Sequence, residues 1–225
     1  MIISLHLPKT AGVSFRATLE EHFGDALLKD YTDLPINTPR YERNKAALEA
    51  SLEICQKDLQ GIECIHGHFL PIKYLLLAEK LDIQFVAWMR NPVDRLLSQY
   101  YFWQRKYDPT RSADLHKKVV EEDWSIERLC LGPENKDFYT QYLWGFPLEY
   151  FSFIGITEFY EDDHTYFCQR YLGTTSQVKR LNIGPQGGSA YTIEPSLREK
   201  IEQYHEKDMD LYQRALSIRL SRLES

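Results

Sequence analysis

The chain has 225 residues, of which 43% are hydrophobic and 13% are aromatic. A chain of this size and composition can bury a substantial core, which excludes a disordered protein and predicts a single domain over residues 1–225, with room for a subdomain. The net charge of −6 argues against a broad electrostatic surface for nucleic acid or an anionic membrane, so any anion site is expected to be a focused pocket.

Apolar runs of strand length alternate with longer helical patterns, which predicts βαβ units around a parallel sheet. Strands are predicted at Ile2 to Leu7, Glu63 to His66, Gln84 to Met89 and Phe151 to Thr157. Helices are predicted at Val13 to Phe23, Pro39 to Lys57, Pro92 to Lys106, Ile126 to Leu131, Lys136 to Trp144, Phe159 to Leu172 and Ser196 to Leu223, the last packing one face on the sheet. The expected fold class is α/β, a P-loop-like three-layer fold with a central parallel sheet flanked by helices.

Local signals mark several helix ends. Thr38 is the expected N-cap of a helix that begins at Pro39, and Asn91 is the expected N-cap before Pro92. Three glycines are expected where helices stop, at Gly24, Gly145 and Gly173. The stretch Asn182 to Ser189 is predicted to be a loop from its glycine content.

The first strand-to-helix turn, HLPKTAGVSF from His6 to Phe15, has the ingredients of a phosphate cradle. Such a junction offers free amides and the positive end of a helix dipole. Its candidate donor-binding residues are Lys9, Thr10, Ala11, Gly12, Val13 and Ser14. Gly12 allows close approach of the backbone, Lys9 adds a mobile positive charge, and the turn lacks the GxxxxGK lettering of a Walker motif. Taken alone, the stretch would by default be interpreted as an ordinary turn with an exposed lysine.

A second strand-to-helix junction, RNPVDRLLSQYYF from Arg90 to Phe102, provides a second group of candidates. Arg90 ends a strand at the edge where α/β sheets bind ligands, and its planar fork suits a terminal phosphate. Ser98, on the second turn of the helix, can supplement it. For Asp94 and Arg95, local salt bridging and capping are favoured over ligand contact.

The stretch CIHGHF, from Cys64 to Phe69, places two histidines at the end of the second predicted strand. An imidazole titrates near neutrality and can therefore accept a hydroxyl proton. The spacing of His66 and His68 is also compatible with core histidines, or with a metal pair completed by His6. On the spacing alone, the interpretation as core histidines is preferable.

Together, the two junctions resemble the cofactor site of carbohydrate sulfotransferases that use 3′-phosphoadenosine 5′-phosphosulfate (PAPS). PKTAGVSF is similar to that family's 5′-phosphosulfate loop, RNPVDRLLSQYYF to its 3′-phosphate motif, and FIGITEFYEDD to its late core strand and helix. HGH resembles the element of hexuronyl 2-O-sulfotransferases in which the second histidine is the catalytic base. The resemblance implies that His68 is the base, with Lys9 as the second catalytic group and Arg90 and Ser98 on the 3′-phosphate; whether His66 or His6 assists stays open.

The expected reaction is in-line transfer of a sulfuryl group from PAPS to an acceptor hydroxyl, without a metal. The acidic balance favours a glycan, a glycolipid or a small hydroxylated metabolite over a long polyanion. Arg105, Lys106 and Arg111 could form a local acceptor patch, although solvated surface is the favoured interpretation. Two rival functions share the fold: a P-loop-type small-molecule kinase and a non-catalytic nucleotide-binding module.

The cysteines and the hydropathy bear on the compartment. Cys55, Cys64, Cys130 and Cys168 are scattered, with no zinc or disulfide spacing, which predicts reduced thiols. No run reaches the length of a bilayer-spanning helix and no signal peptide pattern is present. We therefore expect a cytoplasmic protein that carries no integral membrane segment and does not bind nucleic acid.

Overall fold

The computed structural model describes residues 1–35, 38–175 and 191–224. The strands are β1 (Ile2–Leu5), β2 (Leu27–Asp30), β3 (Cys64–Gly67), β4 (Gln84–Met89) and β5 (Phe151–Ile156). The α-helices in the described ranges are α1 (Gly12–Phe23), α2 (Arg40–Ile54), α3 (Pro92–Arg105), α4 (Asp114–Glu121), α5 (Ile126–Cys130), α6 (Phe138–Tyr142), α7 (Tyr160–Phe167), α8 (Pro195–Tyr204) and α9 (Glu206–Glu224). A single π-helical turn, Cys168–Leu172, continues α7.

The five strands form one sheet in the order β2-β3-β1-β4-β5, and every neighbouring pair is parallel. β1 occupies the centre, with Ser4 in register with His66 on one side and Val86 on the other. All four residues of β1 are buried, as expected of a central parallel strand covered on both faces. The predicted α/β fold with a central parallel sheet is confirmed.

Two apolar layers cover the sheet. On one face, Trp88 of β4 packs against Phe15 of α1, with ring centroids 5.4 Å apart, and Phe15 in turn meets Phe167 of α7 at 4.8 Å. On the other face, strand residues such as Ile3 share a cluster with residues of α2, α6 and α9. Because helices bury both faces, the edge at which the strands end is the open surface on which a site can form.

Two features of the elements differ from the sequence-based expectations. β2 was not predicted, because the short run Leu27–Asp30 alternates neither cleanly nor for long enough to signal a strand. The helix expected at Ser196 to Leu223 is two helices, α8 and α9, which meet at His205. His205 is buried and its imidazole Nε2 bonds to the Cys130 carbonyl at 2.7 Å, so a tertiary contact holds the break.

The end signals are mostly confirmed. Gly24 follows α1 with φ 51°, and Gly173 ends the helical segment in the left-handed region. Asn91 caps α3 by accepting hydrogen bonds from the backbone N–H of Val93 at 3.0 Å and of Asp94 at 3.3 Å. The cap predicted at Thr38 is wrong by one residue: α2 begins after Pro39, without a side-chain cap. The loop predicted at Asn182 to Ser189 lies outside the described residues.

Candidate active site

The sheet order brings three predicted site segments to one edge. The turn that carries Lys9 follows β1, His68 follows β3, and Arg90 follows β4. Since β1 lies between β3 and β4 and all three strands run the same way, the three segments leave the sheet side by side, about 5 Å from strand to strand. Groups that are far apart in the sequence therefore share one crevice.

The turn after β1 has an unusual backbone. Lys9 and Ala11 both adopt positive φ, at 69° and 67°, whereas Thr10 between them does not. A left-handed conformation costs a residue with a Cβ roughly 1 kcal/mol. Alternating backbone handedness forms a concave nest of N–H groups. α1 begins directly afterwards at Gly12, so the first amides of the helix add donors without intrahelical acceptors.

Side chains of the turn divide between the fold and the crevice. The hydroxyl of buried Thr10 donates to the Leu7 carbonyl at 2.7 Å, which closes the turn. Ser14 is also buried, whereas Val13 is half-buried. The Thr10 hydroxyl proton is therefore used within the turn. The hydrogen-bond donor that Thr10 can still offer an anion is its backbone N–H.

Gly12 is required by its neighbour His6. A Cβ at position 12 would lie 1.9 Å from Cδ2 of the His6 imidazole. The close approach expected for Gly12 therefore serves a side chain of the same protein, and it places the imidazole of His6 against the first turn of α1.

The Lys9 side chain extends toward α3 and lies in a cluster of cations. Its Nζ is 3.8 Å from the centroid of the Phe102 ring. Burial, followed by the charges of Arg90, Arg105 and Arg95, lowers the pKa of Lys9 to about 8. Within the residues that the structure describes, neither Lys9 nor Arg90 forms a salt bridge with a carboxylate. The neighbouring cations disfavour the positive charge of Lys9, so this part of the crevice favours an added anion.

The junction after β4 holds the second predicted group. Arg90 is half-buried, and Ser98 is buried on α3. The local salt bridging and capping expected of Asp94 and Arg95 are not what the structure shows: Asp94 pairs with the distant Arg198 at 2.7 Å. Arg95 is fully buried and donates to the side-chain oxygen of Gln99 at 2.7 Å.

The imidazole of His68 has the protonation required of a base. Its Nδ1 bonds to the backbone carbonyl of His6, and because a carbonyl can only accept, the proton is assigned to Nδ1. The lone pair therefore lies on Nε2. Burial, opposed in part by this hydrogen bond, lowers the pKa of His68, so the ring is neutral at pH 7.

His6 and His66 lie beneath His68. The His6 ring centroid is 4.3 Å from that of His68 and 5.0 Å from that of His66. His66 is fully buried, bonds through Nδ1 to the Ser4 hydroxyl at 2.8 Å, and has its pKa lowered by burial to about 3. Across the described part of the chain, no three metal-ligating side chains converge. The His6 ring therefore packs between the rings of His66 and His68.

Two neighbours of His68 were missed by the sequence analysis. The Tyr31 ring meets His68 edge-on with centroids 4.9 Å apart, and its hydroxyl is 3.1 Å from Nδ1 of His6. Arg16 on α1 lies close enough for its charge to lower the pKa of all three histidines. Tyr31 follows β2, so without that strand nothing placed it at this edge.

The remaining cations considered in the sequence analysis lie on the protein surface. Arg105, Lys106 and Arg111, weighed above as an acceptor patch, are exposed. Of these three, only Arg105 is near enough to Lys9 to affect its pKa.

No described helix is long and apolar enough to cross a bilayer.

The fold and the site together define an α/β protein with a cationic crevice and a neutral imidazole at the carboxyl edge of a parallel sheet. No family model matches the sequence, and no curated protein matches it. The solved structures that match include the following two. One is a sulfotransferase from Alicyclobacillus acidocaldarius, with 16% identity and a TM-score of 0.44 over 92% of this chain and 91% of that chain. The other is mouse sulfotransferase SULT7A1 complexed with PAP, with 11% identity and a TM-score of 0.46 over 100% of this chain and 88% of that chain.

Proposed function

We propose that the protein is a PAPS-dependent O-sulfotransferase that acts on a hydroxyl of a glycan, a glycolipid or a small hydroxylated metabolite. The observation that carries the proposal is the convergence at three adjacent strand ends. A cationic, amide-lined turn follows β1, Arg90 follows β4, and an imidazole with a free Nε2 follows β3. The two motif resemblances give this arrangement its chemical interpretation.

The residues fit a doubly phosphorylated nucleotide. Lys9 and Arg90 are positive and form no salt bridge with a described residue, so a polyanion would relieve their mutual repulsion. In the proposal, the turn from Lys9 to Ser14 binds the 5′ end of PAPS through its amides and Lys9. Arg90 and Ser98 bind the 3′-phosphate, which would distinguish PAPS from ATP.

Each side chain then has a distinct task. Nε2 of His68 takes the proton from the acceptor hydroxyl as the oxygen attacks. When bound, PAPS supplies the sulfuryl group: a bond forms between the acceptor oxygen and sulfur, while the sulfur–oxygen bond to phosphate breaks and its electron pair leaves with the 3′,5′-bisphosphate (PAP). Lys9 and the turn amides stabilise the charge that develops on that phosphate. The proton ends on His68 until solvent removes it.

The decisive experiment follows sulfur-labelled PAPS into a panel of glycans, glycolipids and phenols, with His68→Ala beside the wild type. We expect wild-type transfer to at least one acceptor class. His68→Ala should lower turnover by about 100-fold or more, the usual contribution of a general base, while PAP binding stays nearly unchanged. His22→Ala is the matched control, because His22 is exposed in the last turn of α1.

Three outcomes would contradict the proposal. One is phosphoryl transfer from ATP and magnesium in place of sulfuryl transfer, which would support a kinase. Another is PAP binding by the wild type with no transfer to any acceptor, as a binding module would show. If His68→Ala weakens PAP binding as much as turnover, the assignment of the base is wrong.

A further inference from the structure

The backbone around Arg90 is held by side chains from outside its own strand and helix. The carbonyl of Met89 accepts a hydrogen bond from the Thr157 hydroxyl at 3.0 Å. The backbone N–H of Asn91 donates to Oε1 of Glu158 at 2.8 Å. Between them, the Tyr139 hydroxyl accepts from the Arg90 N–H at 3.0 Å and donates to the Arg90 carbonyl at 2.7 Å. We name Tyr139, Thr157 and Glu158 the strand-end clamp.

Tyr139 contributes two of the four hydrogen bonds and is rigidly placed. Its side chain is fully buried, at 0% exposure. Its helix, α6, is anchored by Asp208 of α9, which accepts hydrogen bonds from the backbone N–H of Tyr139 at 2.9 Å and of Thr140 at 3.0 Å. A hydroxyl that cannot move fixes the peptide to which it bonds.

Arg90 requires this support because β4 ends at Met89, where the sheet hydrogen bonds stop. The peptide groups that follow would have to find water or protein partners. Without the clamp, the backbone of Arg90 would be free to shift at the end of the strand, and its guanidinium, which forms no salt bridge with a described residue, would shift with it. A bidentate contact to phosphate tolerates little misplacement.

We propose that Tyr139 is a positioning residue that sets the specificity for a nucleotide 3′-phosphate by holding the backbone of Arg90. The inference rests on the proposed donor site and deepens it, since it names the residue through which α6 and α9 control donor selection. Tyr139 itself touches no ligand in this proposal. Its effect passes entirely through Arg90.

The test compares the affinities for PAP and AMP, which differ by the 3′-phosphate, using titration calorimetry. For Tyr139→Phe we expect PAP affinity to fall about tenfold, the equivalent of one good hydrogen-bonded contact, while AMP affinity stays unchanged. Tyr142→Phe is the matched control: it removes a hydroxyl from another buried tyrosine of α6 and should leave both affinities unchanged.

A double-mutant cycle separates positioning from general destabilisation. In an Arg90→Ala background, Tyr139→Phe should have no further effect on PAP affinity, because the residue through which it acts is gone. Equal losses for PAP and AMP, or additive effects in the cycle, would overturn the inference. Should Tyr139→Phe fail to fold, Thr157→Val removes the neighbouring bond of the clamp and should shift the PAP to AMP ratio in the same direction; an unchanged ratio overturns it.

The two proposals fail differently. If the wild type does not prefer PAP to AMP, the donor assignment itself is wrong. If the wild type prefers PAP and Tyr139→Phe preserves that preference, the donor site stands and only the clamp is wrong.

Discussion

At the scale of single residues, Lys9 combines two unfavourable features at one position. Its backbone is left-handed with φ 69°, and its ammonium is partly buried near three arginines. Natural proteins retain such local costs where a function depends on them. The lowered pKa, about 8, records the electrostatic part of the cost, because the charged form is the one that burial and neighbouring cations disfavour.

Nucleotide binding should therefore weaken as the pH rises through 8. Below this value Lys9 is protonated and can pair with a phosphate, whereas above it the amine becomes neutral and the charge-assisted bond is lost. We expect PAP affinity to fall about tenfold between pH 7 and pH 9.5, measured by calorimetry at constant ionic strength. Lys9→Arg should flatten the profile, since a guanidinium stays charged. An identical slope in Lys9→Met would show that another group controls it.

Lys9→Met should stabilise the fold at neutral pH even though it weakens nucleotide binding. Since the folded-state pKa of Lys9 lies below its ordinary value of 10.5, the unfolded chain binds more protons between about pH 8 and 10.5, and the contribution of Lys9 to stability improves as the pH rises through that window. At pH 7, Lys9→Met should therefore raise the melting temperature while it weakens PAP binding. Lys45→Met, at an exposed lysine of α2, should do neither.

At the scale of elements, the turn between β1 and α1 is a joint with strict local requirements. Ala11 tolerates a left-handed backbone that glycine would adopt freely, while Gly12 has an ordinary φ but no room for a Cβ. Position 11 therefore constrains the backbone conformation, whereas position 12 constrains the size of the side chain.

Substitutions at these adjacent positions should differ in their effect on stability in urea unfolding. Gly12→Ala forces a methyl group into the His6 ring, which is packed between His66 and His68, and should lower the free energy of unfolding by about 1–3 kcal/mol. Ala11→Gly relieves a left-handed residue but increases the entropy of the unfolded chain, so its effect should stay within about 1 kcal/mol. Equal stabilities for the two variants would contradict the packing argument.

At the scale of the whole molecule, α9, the last described helix, is linked through Asp163 to β5, the strand at one edge of the sheet. Asp163 of α7 accepts from Arg219 at 2.8 Å and from Arg222 at 2.7 Å, and it also accepts from the backbone N–H of Ile156 at 2.8 Å. The Asp163 side chain is 1% exposed. α9 also carries Asp208, which anchors α6 and thereby Tyr139. The packing of α9 therefore affects the position of a residue that contacts the Arg90 backbone.

Removing the Asp163 charge should therefore be costly. Asp163→Asn removes the buried carboxylate that two arginines share, each of them at most 10% exposed, and should lower the free energy of unfolding by about 3–5 kcal/mol. Glu149→Gln is the control: it breaks the Glu149–Arg214 pair, whose side chains are both more than half exposed, and should cost at most about 1 kcal/mol. Similar losses in the two variants, measured by urea unfolding, would show that burial of the network does not matter.

The predictability of the site differs from residue to residue. Lys9, His68 and Arg90 could each be found because they sit at strand ends that apolar runs mark in the sequence. Tyr139 and Tyr31 could not, since Tyr139 reaches Arg90 across 49 positions and Tyr31 follows a four-residue strand without a clear pattern. Thr10 was correctly placed in the turn. The partner of its hydroxyl could not be predicted, because it depends on the left-handed backbone on either side, which the residue pattern does not indicate.

The amino-acid sequence by itself determined the class of fold, the parallel sheet and the signals at the ends of α1 and α3, because hydrophobic period, caps and glycine stops act over one or two helical turns. Only the tertiary structure decided that β1 lies between β3 and β4, that α8 and α9 separate at His205, and that Tyr139 holds Arg90. Those outcomes depend on which distant surfaces bury one another best, and that free energy belongs to pairs of elements rather than to any stretch of the chain.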